Sequence, residues 1–181
     1  NPDAQGLAAL KKEYPDSLTL IALDVTDPAS IEKAAAALGA QPIHLLINNA
    51  GIFKSKRTEL ETLDESTWLE EFRVNSISPL MVTRAFKANL VAAGSGVVGM
   101  MSSKMGNMGD ITSGGDYSYR SSKAALNAVS VSMAKDLAQD GVTVVALHPG
   151  WVQTDMGGPN ALIDVVTSAT GLKAVLDRAG P

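Results

Sequence analysis

Four short apolar runs constrain the fold of this chain more than any other feature: Leu18–Leu23, Ile43–Ile47, Val97–Met101 and Val142–Leu147. Each is nearly continuous in Val, Ile, Leu, Ala or Met rather than alternating, the pattern of a parallel strand buried on both faces. Helical patterns lie between them. Asp27-Pro28 offers an N-cap and a first-turn proline for a helix to about Leu38, and Gly39 ends it. Further helical regions are expected from about Glu65 to Ala93, from about Tyr117 to Asp140 and, more loosely, from about Ala161 to Ala179. Gly94 and Gly141 stop the first two of these. Strand alternating with helix predicts an α/β, doubly wound parallel sheet of Rossmann-like type, in a single domain over residues 1–181.

Composition narrows the functional classes. Apolar residues make up 45% and charged residues 19%, as in a soluble globular protein. The net charge of −4 gives no footprint for nucleic acid or an anionic membrane. No apolar run approaches the roughly 20 residues that span a bilayer. The absence of cysteine excludes a disulfide framework and a thiolate zinc site, and a cytoplasmic location is expected. His44 and His148 lie far apart on apolar stretches; they are expected as satisfied core histidines, with no metal site.

Gly94, Gly96 and Gly99 spell G-x-G-x-x-G, the spacing of a dinucleotide-binding turn. Such a turn follows a strand and opens a helix, whose free N–H groups hold the pyrophosphate. Here a helix precedes Gly94 and a strand follows Gly96, so the match is read as coincidence. Gly94 is then a helix stop, Gly96 part of a turn, and Gly99 a point of close packing within a strand.

Ligands in an open α/β sheet bind beyond the carboxyl ends of the strands. Polar and turn-forming residues follow every expected strand: Asp24-Val25, Asn48-Asn49-Ala50-Gly51, Ser102-Ser103, and His148-Pro149-Gly150-Trp151-Val152-Gln153-Thr154. Tyr119 and Lys123, four residues apart, share one face of the helix that opens near Tyr117. A cation beside the phenol is expected to lower its pKa and make it a usable proton donor or acceptor. Asn75 sits in an apolar helical stretch, with Pro79 four residues later. Proline has no N–H, so the Asn75 carbonyl loses its helical donor. Two readings stay open for Asn75: a kinked core helix with a capped carbonyl, or a bound water placed for proton relay.

Together these residues resemble the short-chain dehydrogenase/reductase family. The resemblance rests on Asn48-Asn49-Ala50-Gly51, Asn75, Ser102-Ser103 followed by Gly106, Tyr119-x-x-x-Lys123 and Pro149-Gly150-x-Val152-x-Thr154. It covers nearly the whole chain, and two stretches look most like the C-factor and sniffer-type carbonyl reductases: "YRSSKAALNAVSVSMAKDLAQDG" and "VVALHPGWVQTDMGG". The resemblance implies an NAD(P)-dependent oxidoreductase that reduces a carbonyl to an alcohol, or the reverse, with NADP favoured over NAD. It implies a catalytic set of Asn75, Ser103, Tyr119 and Lys123. Tyr119 would be the general acid or base and Lys123 would hold the nicotinamide ribose. Asn75 would hold a relay water, and Ser103 would hydrogen-bond the substrate oxygen while Ser102 served the strand end. Asp24 and Val25 would contact the adenine, and Asn49, Ala50 and Gly51 the adenosine ribose. Pro149, Gly150, Val152 and Thr154 would line the nicotinamide. The substrate would be a small carbonyl compound or alcohol, its pocket walled by Met105–Thr112 and Trp151–Asn160, with Met105, Met108 and Met156 as apolar candidates. A homodimer through the two long helices is also implied.

The sequence departs from the family pattern in three places. Ser103 and Tyr119 stand farther apart than in typical members, with the extra residues in the loop Asp110–Asp116. The family's glycine-rich turn after its first strand is absent, together with its first two strands and first helix, and its last strand is absent too. The expectation is therefore a fragment whose Ile43–Ile47 strand exposes an apolar edge. The alternatives to an active enzyme are a non-catalytic nucleotide-binding or signalling protein on the same scaffold and an inactive fragment. A hydrolase is discounted, because no Gly-x-Ser-x-Gly elbow is present.

Overall fold

The computed structural model describes residues 4–179. Among them three strands, β1 (Leu45–Asn48), β2 (Val97–Met101) and β3 (Thr143–Leu147), form one parallel sheet in the order β1-β2-β3. Leu45 lies opposite Val97, and Val97 opposite Thr143, so all three strands end on one edge. Seven α-helices accompany them: α1 (Gln5–Glu13), α2 (Pro28–Leu38), α3 (Glu65–Phe72), α4 (Ser78–Ala85), α5 (Lys87–Ala92), α6 (Tyr117–Leu137) and α7 (Val165–Ala179).

Alternation along β2 divides the helices between two faces. Val98 and Met100 point to one face, where they join Leu90 of α5 and Leu126, Met133 and Leu137 of α6 in the main core. Gly99 points to the other, where a Cβ would stand 3.0 Å from Leu147 Cδ1 and 3.4 Å from Leu176 Cδ2 of α7. β1 alternates in step: the Asn48 amide turns to the first face and donates to Thr83 Oγ1 at 3.0 Å. Leu45 and Ile47 point away from it and remain 44% and 42% exposed. A second core, Ile31, Ala34, Val82 and Phe86, joins α2 to α4, with Leu23 and Val25 packed against it.

The helix ends follow the local signals. The Asp27 carboxylate caps α2, accepting from Ala29 N–H, and Gly39 terminates it at φ +64°. Gly94 (φ +74°) and Gly141 (φ +69°) follow α5 and α6. Gly96 belongs to a tight turn, where a Cβ would stand 2.7 Å from Leu90 O. The three-glycine match is thus helix–turn–strand, as expected, with no helix N-terminus facing it.

Several expectations need correction. Leu18–Leu23 forms no strand: its apolar character suits a sheet, but a strand also needs a neighbour, and no described segment pairs with it. Leu18 N–H bonds instead to Tyr14 O, and Asp24 N–H to Ser30 Oγ. α1 was not foreseen. The looser region from Ala161 becomes helical only at Val165, after an isolated bridge between Val152 and Ile163. The exposed apolar surface of β1 is a face, carried by Leu45 and Ile47, as well as an edge. Neither histidine is a core residue; both are exposed.

The expected helix from Glu65 to Ala93 is broken into three. Between α3 and α4, residues Arg73–Ile77 wind as a π turn, in which Ser78 N–H reaches back to Arg73 O. Pro79 sits in the first turn of α4, where its missing N–H costs little. π turns inside helices gather at functional positions, and this one contains Asn75.

Candidate active site

Ser103 stands two residues beyond the end of β2 and caps a short 3-10 turn at Lys104–Gly106. Tyr119 and Lys123 lie in the first two turns of α6, both buried. Gly106 allows this turn to press on α6: a Cβ there would meet Lys123 C at 2.6 Å. Ser103, Tyr119 and Lys123 therefore line one cleft of about 1130 Å³ at the carboxyl edge of the sheet. Asn49, Gly51, Pro149, Gly150, Val152 and Thr154 line it as well. Met105 and Met156 are in its wall, whereas Met108 is 79% exposed and not part of it.

Both serines line the cleft, but they bond differently. Ser102 donates its hydroxyl to Asn127 Oδ1 and its N–H to Leu147 O, so it is committed to the strand end. The Ser103 oxygen accepts from Met105 N–H at 3.1 Å and faces the cleft.

Lys123 Nζ donates to Met101 O at 2.8 Å and stands 5.7 Å from the Tyr119 ring centroid. Burial holds this amine well below its ordinary range, at about 8. The Tyr119 phenol contradicts the expected lowering: burial pushes it up, Ser103 hydrogen bonding pulls it down, and the Glu71 charge adds a further upward push. Spacing put the lysine on the tyrosine's helix face but said nothing of the desolvation that outweighs it.

Asn75 is fully buried and used on every polar atom of its side chain. Its Oδ1 accepts from Ile52 N–H at 2.9 Å, and its Nδ2 donates to Ile52 O at 2.9 Å and Ser122 Oγ at 3.0 Å. The π turn thus clasps the segment after Gly51 and ties it to α6. The helix is interrupted here by the π turn, and the Asn75 side-chain amide braces the segment it clasps.

Sequence reasoning missed two members of the site. Glu71 is completely buried, and its carboxylate accepts from Lys54 N–H at 2.6 Å, Ser55 N–H at 3.0 Å and Ser55 Oγ at 2.9 Å. It fixes the turn that presents Phe53, whose ring stacks on Tyr119 at 4.0 Å and 19°.

Asp24 stands apart from this cleft. Its carboxylate accepts from Thr26 N–H and Thr26 Oγ1, contacts that lower its pKa, and neither it nor Val25 lines the cleft. Ala50 is exposed beside Asn49 at the end of β1. His148 Nδ1 accepts from Lys104 N–H at 3.2 Å; burial first and the Lys104 charge second lower its pKa. No cluster able to hold a metal ion occurs among the described residues.

The site fits one end of a nicotinamide dinucleotide. Gly51 leaves space between Asn75 Oδ1 and Lys123 Nζ, where a Cβ would lie 3.4 Å and 3.6 Å from them. Lys123 spends one N–H on Met101 O, and an ammonium has two more to donate. Among the described residues, no glycine turn between a strand and a helix cradles a pyrophosphate.

Residues 1–161 match the family described as short chain dehydrogenase. The chain is 41% identical over 140 residues to the C-signal of Myxococcus xanthus, covering 77% of this chain and 84% of that protein. The NADPH-bound carbonyl reductase from chicken fatty liver superposes with a TM-score of 0.88 at 34% identity, over 97% of this chain and 77% of that one. The carbonyl reductase Sniffer of D. melanogaster gives 0.93 at 31%, over 99% and 78%. No described helix is long and apolar enough to cross a membrane. The cleft geometry and these likenesses agree: the chain belongs to the short-chain dehydrogenase family of NAD(P)-dependent oxidoreductases.

Proposed function

We propose that the protein reduces a carbonyl to an alcohol, with NADP as the favoured nicotinamide cofactor and Tyr119 as the proton donor. The observation that carries this reading is the placement of Ser103, Tyr119 and Lys123 in one cleft beside a glycine-lined recess. The NADPH and NADP in the solved relatives support the cofactor choice.

Bound nicotinamide would supply the hydride for the carbonyl carbon, chemistry that belongs to the cofactor. The chain's own residues supply position and a proton. Ser103 Oγ–H donates to the carbonyl oxygen and fixes it beside the Tyr119 hydroxyl. Tyr119 enters the step as a neutral phenol with a proton to give, and the Lys123 cation beside it partly offsets the burial that weakens it as an acid. The proton passes to the oxygen as negative charge develops there. Lys123 stabilises the resulting phenolate and holds the ribose hydroxyls. Phe53, braced by Glu71, covers one face of the Tyr119 ring and limits water there. Asn75 keeps Ile52, and with it the adjoining Gly51, in place where a ribose would bind. In the reverse direction the same groups take the proton back.

Tyr119→Phe removes the transferable proton and little else. Turnover of aldehydes and ketones with NADPH is expected to fall by roughly 10²–10⁴-fold, with cofactor affinity nearly unchanged by calorimetry. A fully active variant would remove Tyr119 from the mechanism. Val131 of α6 and Leu69 of the short α3 are exposed apolar residues within the two helical regions expected to pair, which supports pairing of two copies there. Sedimentation of Val131→Glu as a smaller species than the parent would agree with it, and an unchanged sedimentation coefficient would not.

A further inference from the structure

The cleft carries a charge opposite to that of the protein. Five cations line it (Lys56, Arg57, Lys104, Arg120 and Lys123) against two carboxylates, Asp110 and Asp116, although the chain as a whole is at −4. Both carboxylates are engaged in loop structure. Asp116 Oδ1 accepts from Arg57 N–H at 2.7 Å, and Asp110 Oδ2 accepts from Asn107 Nδ2 at 2.9 Å. The ion pairs among the described residues are Lys54–Glu70, Lys87–Asp140 and Lys173–Asp177, and none uses a cleft cation.

Four of the five cations, Lys56, Arg57, Lys104 and Arg120, share the cleft with Ser103 and Tyr119. Lys104 follows Ser103 and Arg120 follows Tyr119. Lys56 Nζ reaches across the cleft to Asp155 O at 3.5 Å. Arg57 is held in the left-handed region, φ +59°, by the Asp116 contact at the opening of α6. That conformation is costly for a side-chain-bearing residue and persists where its surroundings fix it. Arg120 Nε donates to Gly115 O at 3.3 Å, while its terminal nitrogens have no acceptor among the described residues. The expected adenine contacts, Asp24 and Val25, lie outside this cleft.

We propose that the substrate is a carbonyl compound bearing a carboxylate, held by Arg57 and Arg120 with Lys56 and Lys104 at the rim while its carbonyl faces Ser103 and Tyr119. This rests on the reductase reading above. Planar guanidinium forks match a carboxylate in two parallel hydrogen bonds, and a cleft of one sign raises the local concentration of opposite charge.

The test gives the protein NADPH and a series of oxo acids, each beside its methyl ester. The acid is expected to exceed its ester in kcat/KM by about tenfold or more at low salt, with the ratio shrinking as salt screens the field. In Arg120→Gln and in Lys56→Gln the ratio is expected to fall several-fold, with the melting temperature showing that each variant is folded. The matched pairs cancel any effect of these cations on the cofactor. Esters reduced as well as acids, or a ratio untouched by both substitutions, would overturn the carboxylate assignment and leave the reductase reading standing. Absence of turnover with every acid and every ester, together with no oxidation of alcohols by NADP+, would sink both.

Discussion

The two faces of the sheet differ sharply. On one, Val98 and Met100 are fully buried under α5 and α6. On the other, α7 covers Gly99 and Leu147, while Leu45 and Ile47 of β1 lie nearly half exposed. The near-continuous apolar runs are alike on both sides, because a parallel strand is written for burial above and below. Composition therefore states what a strand can bury, and the arrangement of helices decides what it does bury. The site sits where the covered face meets the carboxyl edge, so its residues inherit the rigidity of the main core.

The comparison can be broken most forcefully from the covered side. Leu126→Ala removes a side chain that is 1% exposed, and unfolding by denaturant should show a loss of about 2–5 kcal/mol. A loss as small as that of a surface substitution would mean the face is loosely packed.

Lys123 gives the next effect, through pH. Its folded pKa of about 8 lies below its ordinary 10.5. Between those values the unfolded chain binds more protons, so stability rises with pH, by roughly 2–3 kcal/mol over the whole interval. Tyr119 works the other way: its folded pKa is raised above 10.0, so its contribution is lost as pH climbs past that value. A melting series should thus rise from about pH 8 to pH 10 and flatten above it. In Lys123→Met the rise should vanish.

Glu71→Gln tests the brace under Phe53. An amide keeps its carbonyl oxygen for Lys54 N–H and Ser55 N–H but sets an NH2 where Oε2 accepted from Ser55 Oγ, and exchanging charge-assisted bonds for neutral ones costs about 1 kcal/mol. It also removes the charge that helps raise the Tyr119 pKa. The variant's rate should lose its dependence on protonated Tyr119 at a lower pH than the parent's, and an unshifted pH–rate profile would confine Glu71 to structure.

The smallest effect belongs to the open face. Leu45→Thr should change stability by no more than about 0.5 kcal/mol in this chain. A larger loss on equilibrium unfolding would show that something beyond the described residues covers β1.

Much of this arrangement was legible in the sequence, for reasons of range. Asp27, Gly39, Gly94 and Gly141 act within a few residues, and their helices end where they dictate. The Tyr119–Lys123 spacing fixed a shared helix face, and the elements around Gly94 run helix, turn, strand, in the order the sequence was read. What failed depended on distant partners. Leu18–Leu23 has strand composition without a strand beside it. The Tyr119 phenol is governed by burial that no spacing reports. Glu71 became visible only once Phe53 and the 54–55 turn were seen to depend on it. The divided fate of Met105, Met108 and Met156 has the same origin, since the path of a glycine-rich loop decides which methionine faces the cleft.

The π turn at Arg73–Ile77 also sets a phase. One residue added to an α-helix rotates everything after it by about 100°, and a π turn holds that additional residue. Before it, α3 presents Trp68 to Ser121 of α6 and Glu71 to the 54–55 turn. After it, α4 presents Val82 to the core shared with α2. The segment works like a camshaft whose lobes are set at different angles, and Asn75 lies at the twist between them. Its grip on Ile52 is therefore timed to the same rotation that aims the following helix at its own core.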